Sequence, residues 1–160
     1  MTDESLTVLG LSTAVADGTL VVHRAVVTAR QGQITVKVLE SWQATRNDEA
    51  RSLSDLVDAL TNSLDRKRAN APEAVAIKRV EVPLRGKPPK SYDQRTRAEG
   101  AAMVAAASQG VGYFGYRLVE IRPRGQHLRE AAASLPEYPG AEEQRHAVDV
   151  ACAALAELGT

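Results

Sequence analysis

The chain has 160 residues, enough to bury a real core, and is read as a single domain. Hydrophobic residues make up 44% and aromatics only 4%, so the core must be aliphatic and rich in alanine. Lys plus Arg and Asp plus Glu both total 20, so overall charge selects neither an acidic nor a basic partner. The single cysteine, Cys152, rules out an intramolecular disulfide and a cysteine-based zinc site. No apolar run reaches membrane-spanning length. The acidic opening MTDESLTVLG lacks the features of a signal peptide, so a cytoplasmic protein is expected.

Leu6 to Ser12 reads as a buried strand. Asp17-Gly18 marks a hairpin turn into a second strand, Leu20 to Thr28, and Gln31-Gly32-Gln33 a turn into a third, Ile34 to Trp42. These three strands make an antiparallel meander. The period then becomes helical, with Leu53, Leu56, Val57, Leu60 and Leu64 in a helix capped by Ser52 and running to about Ala69. Glu73 to Val82 is the fourth strand. A loop from Leu84 to Tyr92 carries Arg85, Lys87 and Lys90. Ser91 and Gln94 offer a capping box for a second helix, whose Ala98, Ala101, Ala102, Ala105 and Ala106 suit close packing on a sheet.

Gln109-Gly110 ends that helix. Tyr113 to Arg122 holds a fifth strand, centred on Leu118 to Ile121. His127 to Ser134 is read as a short helix. Ala141 to Leu158 is the terminal helix, with Val148, Ala151, Cys152, Leu155 and Leu158 on its apolar face. The order β-β-β-α-β-α-β-α predicts an α/β fold: a mixed five-stranded sheet with flanking helices, its three-strand meander joined by two parallel strands. This is the order of the ribonuclease H-like fold.

Four places carry a closer resemblance. They are Val8-Leu9-Gly10-Leu11-Ser12; Ala76-Ile77-Lys78-Arg79-Val80; Arg97 to Ala102 with Gln109-Gly110 and Val119 to Pro123; and Leu135 to Pro139 followed by His146 to Ala151. In this order they resemble the RuvC family of Holliday-junction resolvases over nearly the whole chain. The resemblance implies Mg2+-assisted phosphodiester hydrolysis on DNA by a homodimer. Magnesium prefers oxygen ligands, and two such ions activate water and stabilise the leaving oxygen.

Carried over, the family's metal positions fall on Ser12, Lys78, His146 and Asp149. Asp149 matches and His146 is tolerable. Ser12 and Lys78 stand where the family has carboxylates: one brings no charge, the other brings a cation able to pair with Asp149. Glu81 is the nearest substitute acid on the fourth strand, but side-chain alternation turns it to the opposite face from Lys78. The degenerate set implies a protein that binds nucleic acid rather than cleaving it, with Arg85, Lys87, Lys90, Tyr92 and Arg95 as candidate contacts. A nuclease using Asp149, His146 and Glu81 is one alternative, and a non-enzymatic scaffold or interaction protein is another. The bland reading also stands: His146 and Asp149 as an ordinary i,i+3 pair, and the basic segment as a solvated loop.

Overall fold

The computed structural model describes residues 4–45, 48–81, 85–86 and 89–159, with Lys90 described by its backbone only. Two long strands, β1 (Ser5–Ala16) and β2 (Thr19–Arg30), form an antiparallel hairpin. Asp17 and Gly18 close it with φ of 51° and 76°, a turn whose twist matches the strands. β3 (Gln33–Val38) extends the meander. The expected third strand stops four residues short of Trp42. Trp42 and Gln43 instead form a separate two-residue β4 that pairs with β2.

α1 (Glu49–Ser63) starts earlier than the sequence predicts, because the Asp48 carboxylate caps it by accepting from the Arg51 N–H at 3.3 Å. Ser52 is buried inside the helix rather than capping it, and the helix ends well before Ala69. β5 (Ala74–Lys78) lies parallel to β1, and α2 (Lys90–Gln109) follows. No side chain caps α2, so Ser91 and Gln94 form no capping box, while Gly110 ends the helix in the left-handed region at φ 66°.

The largest difference comes next. β6 is Gly112–Tyr116, parallel to β5, while Leu118–Ile121, expected to be the surest part of the strand, is a short helix, α3. The Glu120 carboxylate folds back to accept from the Arg117 N–H and Nε, which turns the chain into a helix just after Tyr116. α4 (Gln126–Ala133) and α5 (Glu142–Glu157) complete the chain. The sheet order is β3-β2-β1-β5-β6, with β4 beside β2. Among the described residues no helix is long and apolar enough to cross a membrane.

β1 is the central strand, buried on both faces as a strand covered by helices must be. Leu9 and Leu11 join Leu56, Leu60 and Leu64 of α1 and the five alanines of α2 in one core. Val8, with Ala74 and Ala76 of β5, faces α5 in the other. Gly10 is what lets α5 lie so close. A Cβ there would fall 1.9 Å from the Ala147 carbonyl oxygen.

Candidate functional site

Strand parity brings the site together. Ser12 lies two residues beyond Gly10 on β1, and Lys78 two beyond Ala76 on β5, so both side chains face α5. The last paired residues of the parallel register are Leu11 and Ile77, and one step further puts Ser12 and Lys78 side by side. The first turns of α5 cover that end of the sheet and supply Glu143 and His146.

Glu143 is the hub, and sequence reasoning missed it. The Ser12 hydroxyl donates a short hydrogen bond to its carboxylate. Lys78 Nζ is 3.6 Å from Glu143 Oε1 and 3.0 Å from His146 Nδ1. His146 Nδ1 lies 3.6 Å from Glu143 Oε2. An ammonium only donates, so Nδ1 accepts from Lys78 and the imidazole proton sits on Nε2, 4.0 Å from Glu142 Oε1. Burial alone pushes the Glu143 carboxyl up. The Ser12 hydroxyl and the Lys78 ammonium lead the groups that hold it below the ordinary carboxylate range. His23, the cross-strand partner of Ser12, completes the cluster; burial lowers its pKa and the charge of Glu143 partly offsets that. Its Nδ1 is 2.9 Å from the Ser41 hydroxyl.

Asp149 belongs to a different environment. It lies two residue steps of i,i+3 beyond Glu143, which rotates it about 120° around the helix axis. Tyr138 donates its hydroxyl to Asp149 Oδ1 at 3.0 Å. Burial raises the Asp149 carboxyl above its ordinary value, and the Tyr138 hydroxyl and Arg129 offset this only in part. Asp149 and His146 line a cleft of about 560 Å³ with Arg122, Gln126, Arg129 and Glu142. Arg129 is fixed there by hydrogen bonds to the carbonyls of Ile121 (3.1 Å) and Arg122 (3.2 Å). The larger cavity, about 670 Å³, opens between the β1–β2 turn and the starts of α1 and α2 and shares no residue with this site.

The structure therefore unites Ser12, Lys78 and His146 around Glu143, while Asp149 meets this group only through the cleft it shares with His146. Lys78 pairs with Glu143, not with Asp149. Glu81 is exposed and lies three residues past the end of β5. Of the candidate nucleic-acid contacts, Arg85 is exposed and Tyr92 half-buried in the first turn of α2. Arg95 is half-buried and donates to Thr13 Oγ1 at 3.1 Å. The Lys87 position and the Lys90 side chain lie outside the described residues. Behind this edge, buried Glu99 accepts from the Val80 N–H at 2.6 Å as the chain leaves β5.

These donors do not fit a magnesium ion. The Ser12 hydroxyl is spent on Glu143, an ammonium already neutralises that carboxylate, and the lone pair of His146 Nδ1 is taken by the same ammonium. Among the described residues no group of three or more His, Cys, Asp or Glu is arranged to hold a metal.

Neither a protein-family model nor a curated protein matches the sequence. Solved structures do. The chain is similar to RuvC of Thermus thermophilus in complex with a Holliday junction substrate, at 20% identity and TM-score 0.67 over 97% of both chains. It is equally similar to a second Thermus thermophilus RuvC structure, at 19% identity and TM-score 0.67 over 97% of this chain and 98% of that one. Sheet order, helix placement and near-complete coverage together give this chain the ribonuclease H-like fold seen in RuvC.

Proposed function

We propose that the chain binds nucleic acid through a RuvC-like scaffold and does not cleave it by metal-assisted hydrolysis. One observation carries this reading: the ammonium of Lys78 sits against Glu143 and His146, where the resemblance puts a carboxylate and its cation. A metal-dependent nuclease concentrates negative charge so that divalent ions bind and activate water. Here the positive charge is covalently built in, and it repels the ions it replaces.

The segment that follows β5 carries more basic than acidic residues. Arg79, Arg85, Arg95 and Arg97 follow one another from the end of β5 into α2, and guanidinium groups neutralise phosphates regardless of base sequence. A nucleic-acid backbone is the ligand this charge suits, with Tyr92 available for stacking. A homodimer belongs to the same reading.

The test uses four-way junction, flap and single-stranded DNA, with matching RNA, in magnesium or manganese. The expected result is a complex whose affinity falls steeply with salt, with no turnover above buffer. Robust cleavage abolished by Asp149→Ala overturns the reading. Affinity without a salt slope, unchanged by Arg85→Ala and Arg95→Ala, points instead to a scaffold that has left nucleic acid behind.

A further inference from the structure

The sheet has two outer strands, and they are built differently. β3, on one side, carries the exposed Lys37 and packs against α4. A charge on an edge strand and a helix beside it are ordinary protections against the pairing of a stray strand. β6, on the other side, reads Gly-Tyr-Phe-Gly-Tyr and carries no charged residue. Among the described residues no strand pairs with its outer side.

The hydrogen bonds to β5 fix which backbone groups of β6 point outward. The Gly112 N–H donates to the Glu73 carbonyl at 3.1 Å, and the Tyr116 carbonyl accepts from the Arg79 N–H at 2.8 Å. Peptide groups alternate sides along a strand, so Gly112, Phe114 and Tyr116 bond inward to β5. Tyr113 and Gly115 therefore aim their N–H and C=O groups away from the sheet, and among the described residues no protein group bonds to them. The side chains along this edge differ between the two faces of the sheet. On the α5 side Phe114 stacks on Tyr116, with ring centroids 6.2 Å apart. On the α2 side the stem of exposed Arg79 lies across Gly115, beside the Tyr113 hydroxyl. Among the described residues Arg79 forms no salt bridge.

We propose that the outer edge of β6 takes up an extended segment of another protein as an added strand, with a carboxylate of that segment against Arg79. A strand edge presents donors and acceptors together, and an extended peptide answers both. A phosphate backbone only accepts, so it would leave the outward carbonyls of Tyr113 and Gly115 without donors. Two outward residues suit a segment of about five residues. Its side chains alternate between the faces of the sheet. One set passes the Phe114–Tyr116 pair, where β-branched and aromatic residues pack well. The other passes Tyr113 and Arg79, where a carboxylate finds a guanidinium. Arg79 also belongs to the basic segment of the functional reading above, but the outward backbone groups of Tyr113 and Gly115 do not. The two readings therefore fail separately.

The test selects a phage-displayed library of random peptides against the full chain, without nucleic acid. Selected peptides should alternate β-branched or aromatic residues with polar ones and carry an acidic residue, a preference that Arg79→Glu should abolish. Bound peptide should slow amide exchange at Tyr113 and Gly115 by at least ~10-fold. Of the two alternating sets of peptide amides, methylating the one that faces β6 should weaken binding by at least ~10-fold, and methylating the other should leave it nearly unchanged. Tyr113→Pro removes an outward N–H that β5 does not use and should weaken binding to a similar degree. Circular dichroism checks that this variant folds, and the methylated peptides decide the matter on the unaltered chain if it does not. A library that yields no peptide protecting these two amides overturns the proposal, as does binding indifferent to methylation of either set. Single-stranded DNA that protects the same amides as strongly assigns the edge to nucleic acid and overturns it equally.

Discussion

Two carboxylates on one helix, Glu143 and Asp149, meet opposite fates. Glu143 is embraced by a hydroxyl, an ammonium and an imidazole and is held below the ordinary carboxylate range. Asp149 is half-buried, with a phenol donor at 3.0 Å and Arg129, His146 and Arg145 acting at longer range, and is pushed above it. The same side-chain chemistry gives a locked ion pair on one side of α5 and a poorly solvated acid on the other. The difference lies in what the sheet supplies. β1 and β5 present Ser12 and Lys78 to Glu143, whereas Asp149 lines the cleft beside α3 and α4.

The strongest way to break both environments at once is Gly10. Gly10→Val drives a side chain into the Ala147 carbonyl and lifts α5 from β1, removing the support of Glu143 and Asp149 together. A loss of roughly 3 kcal/mol or more, or failure to fold, is the expected result in chemical denaturation.

Next in size is the ion pair. Lys78→Ala leaves the Glu143 carboxylate part-buried with Ser12 and His146 alone, and a loss of about 2 kcal/mol is expected. Because the two partners act as a unit, Lys78→Met together with Glu143→Gln should cost less than the sum of the single changes. A double-mutant cycle measures that coupling. Additivity would mean that the pair holds nothing in place.

Asp149 predicts a change of the opposite sign. Asp149→Asn keeps an acceptor for Tyr138 and removes a charge that burial disfavours. The melting temperature at neutral pH should rise, by a stabilisation of up to ~1 kcal/mol. A clear fall would show that Asp149 is needed ionised, as a metal-binding residue would be.

The smallest effect is in the pH profile. The pKa of Glu143 is depressed from 4.5, so its contribution to stability is present above that value and is lost as pH falls through the depressed one. That of Asp149 is raised from 3.8, so its contribution is full below that value and is lost as pH rises through the raised one. The two limbs oppose each other. Glu143→Gln should therefore flatten the loss of stability on acidification, and Asp149→Asn should steepen it.

The order of elements was legible because its signals are strong: the Asp17-Gly18 turn, the helical leucines of α1 and the alanine face of α2. The last strand was misplaced because its own sequence, Gly-Tyr-Phe-Gly-Tyr, carries two glycines. The stem of Arg79 packs over Gly115, at 2.9 Å from where a Cβ would be, a tertiary contact that no local pattern announces. Val119 and Ile121 meanwhile look like strand residues, and only the return of Glu120 to Arg117 makes them helical. The site was half legible. The resemblance to RuvC put Ser12 and Lys78 at one site, and the structure brings both to Glu143. Glu143 was hidden among the acids that begin α5, although its i,i+3 spacing from His146 was a signal that it shares that helix face.

Divalent-cation binding tests the central claim most directly. In calorimetric titration with Mn2+, the chain as it stands should show no stoichiometric site, while Ser12→Asp combined with Lys78→Glu should acquire one as the built-in cation is exchanged for carboxylates. Stoichiometric binding to the unaltered chain, lost in Asp149→Ala, would contradict the account.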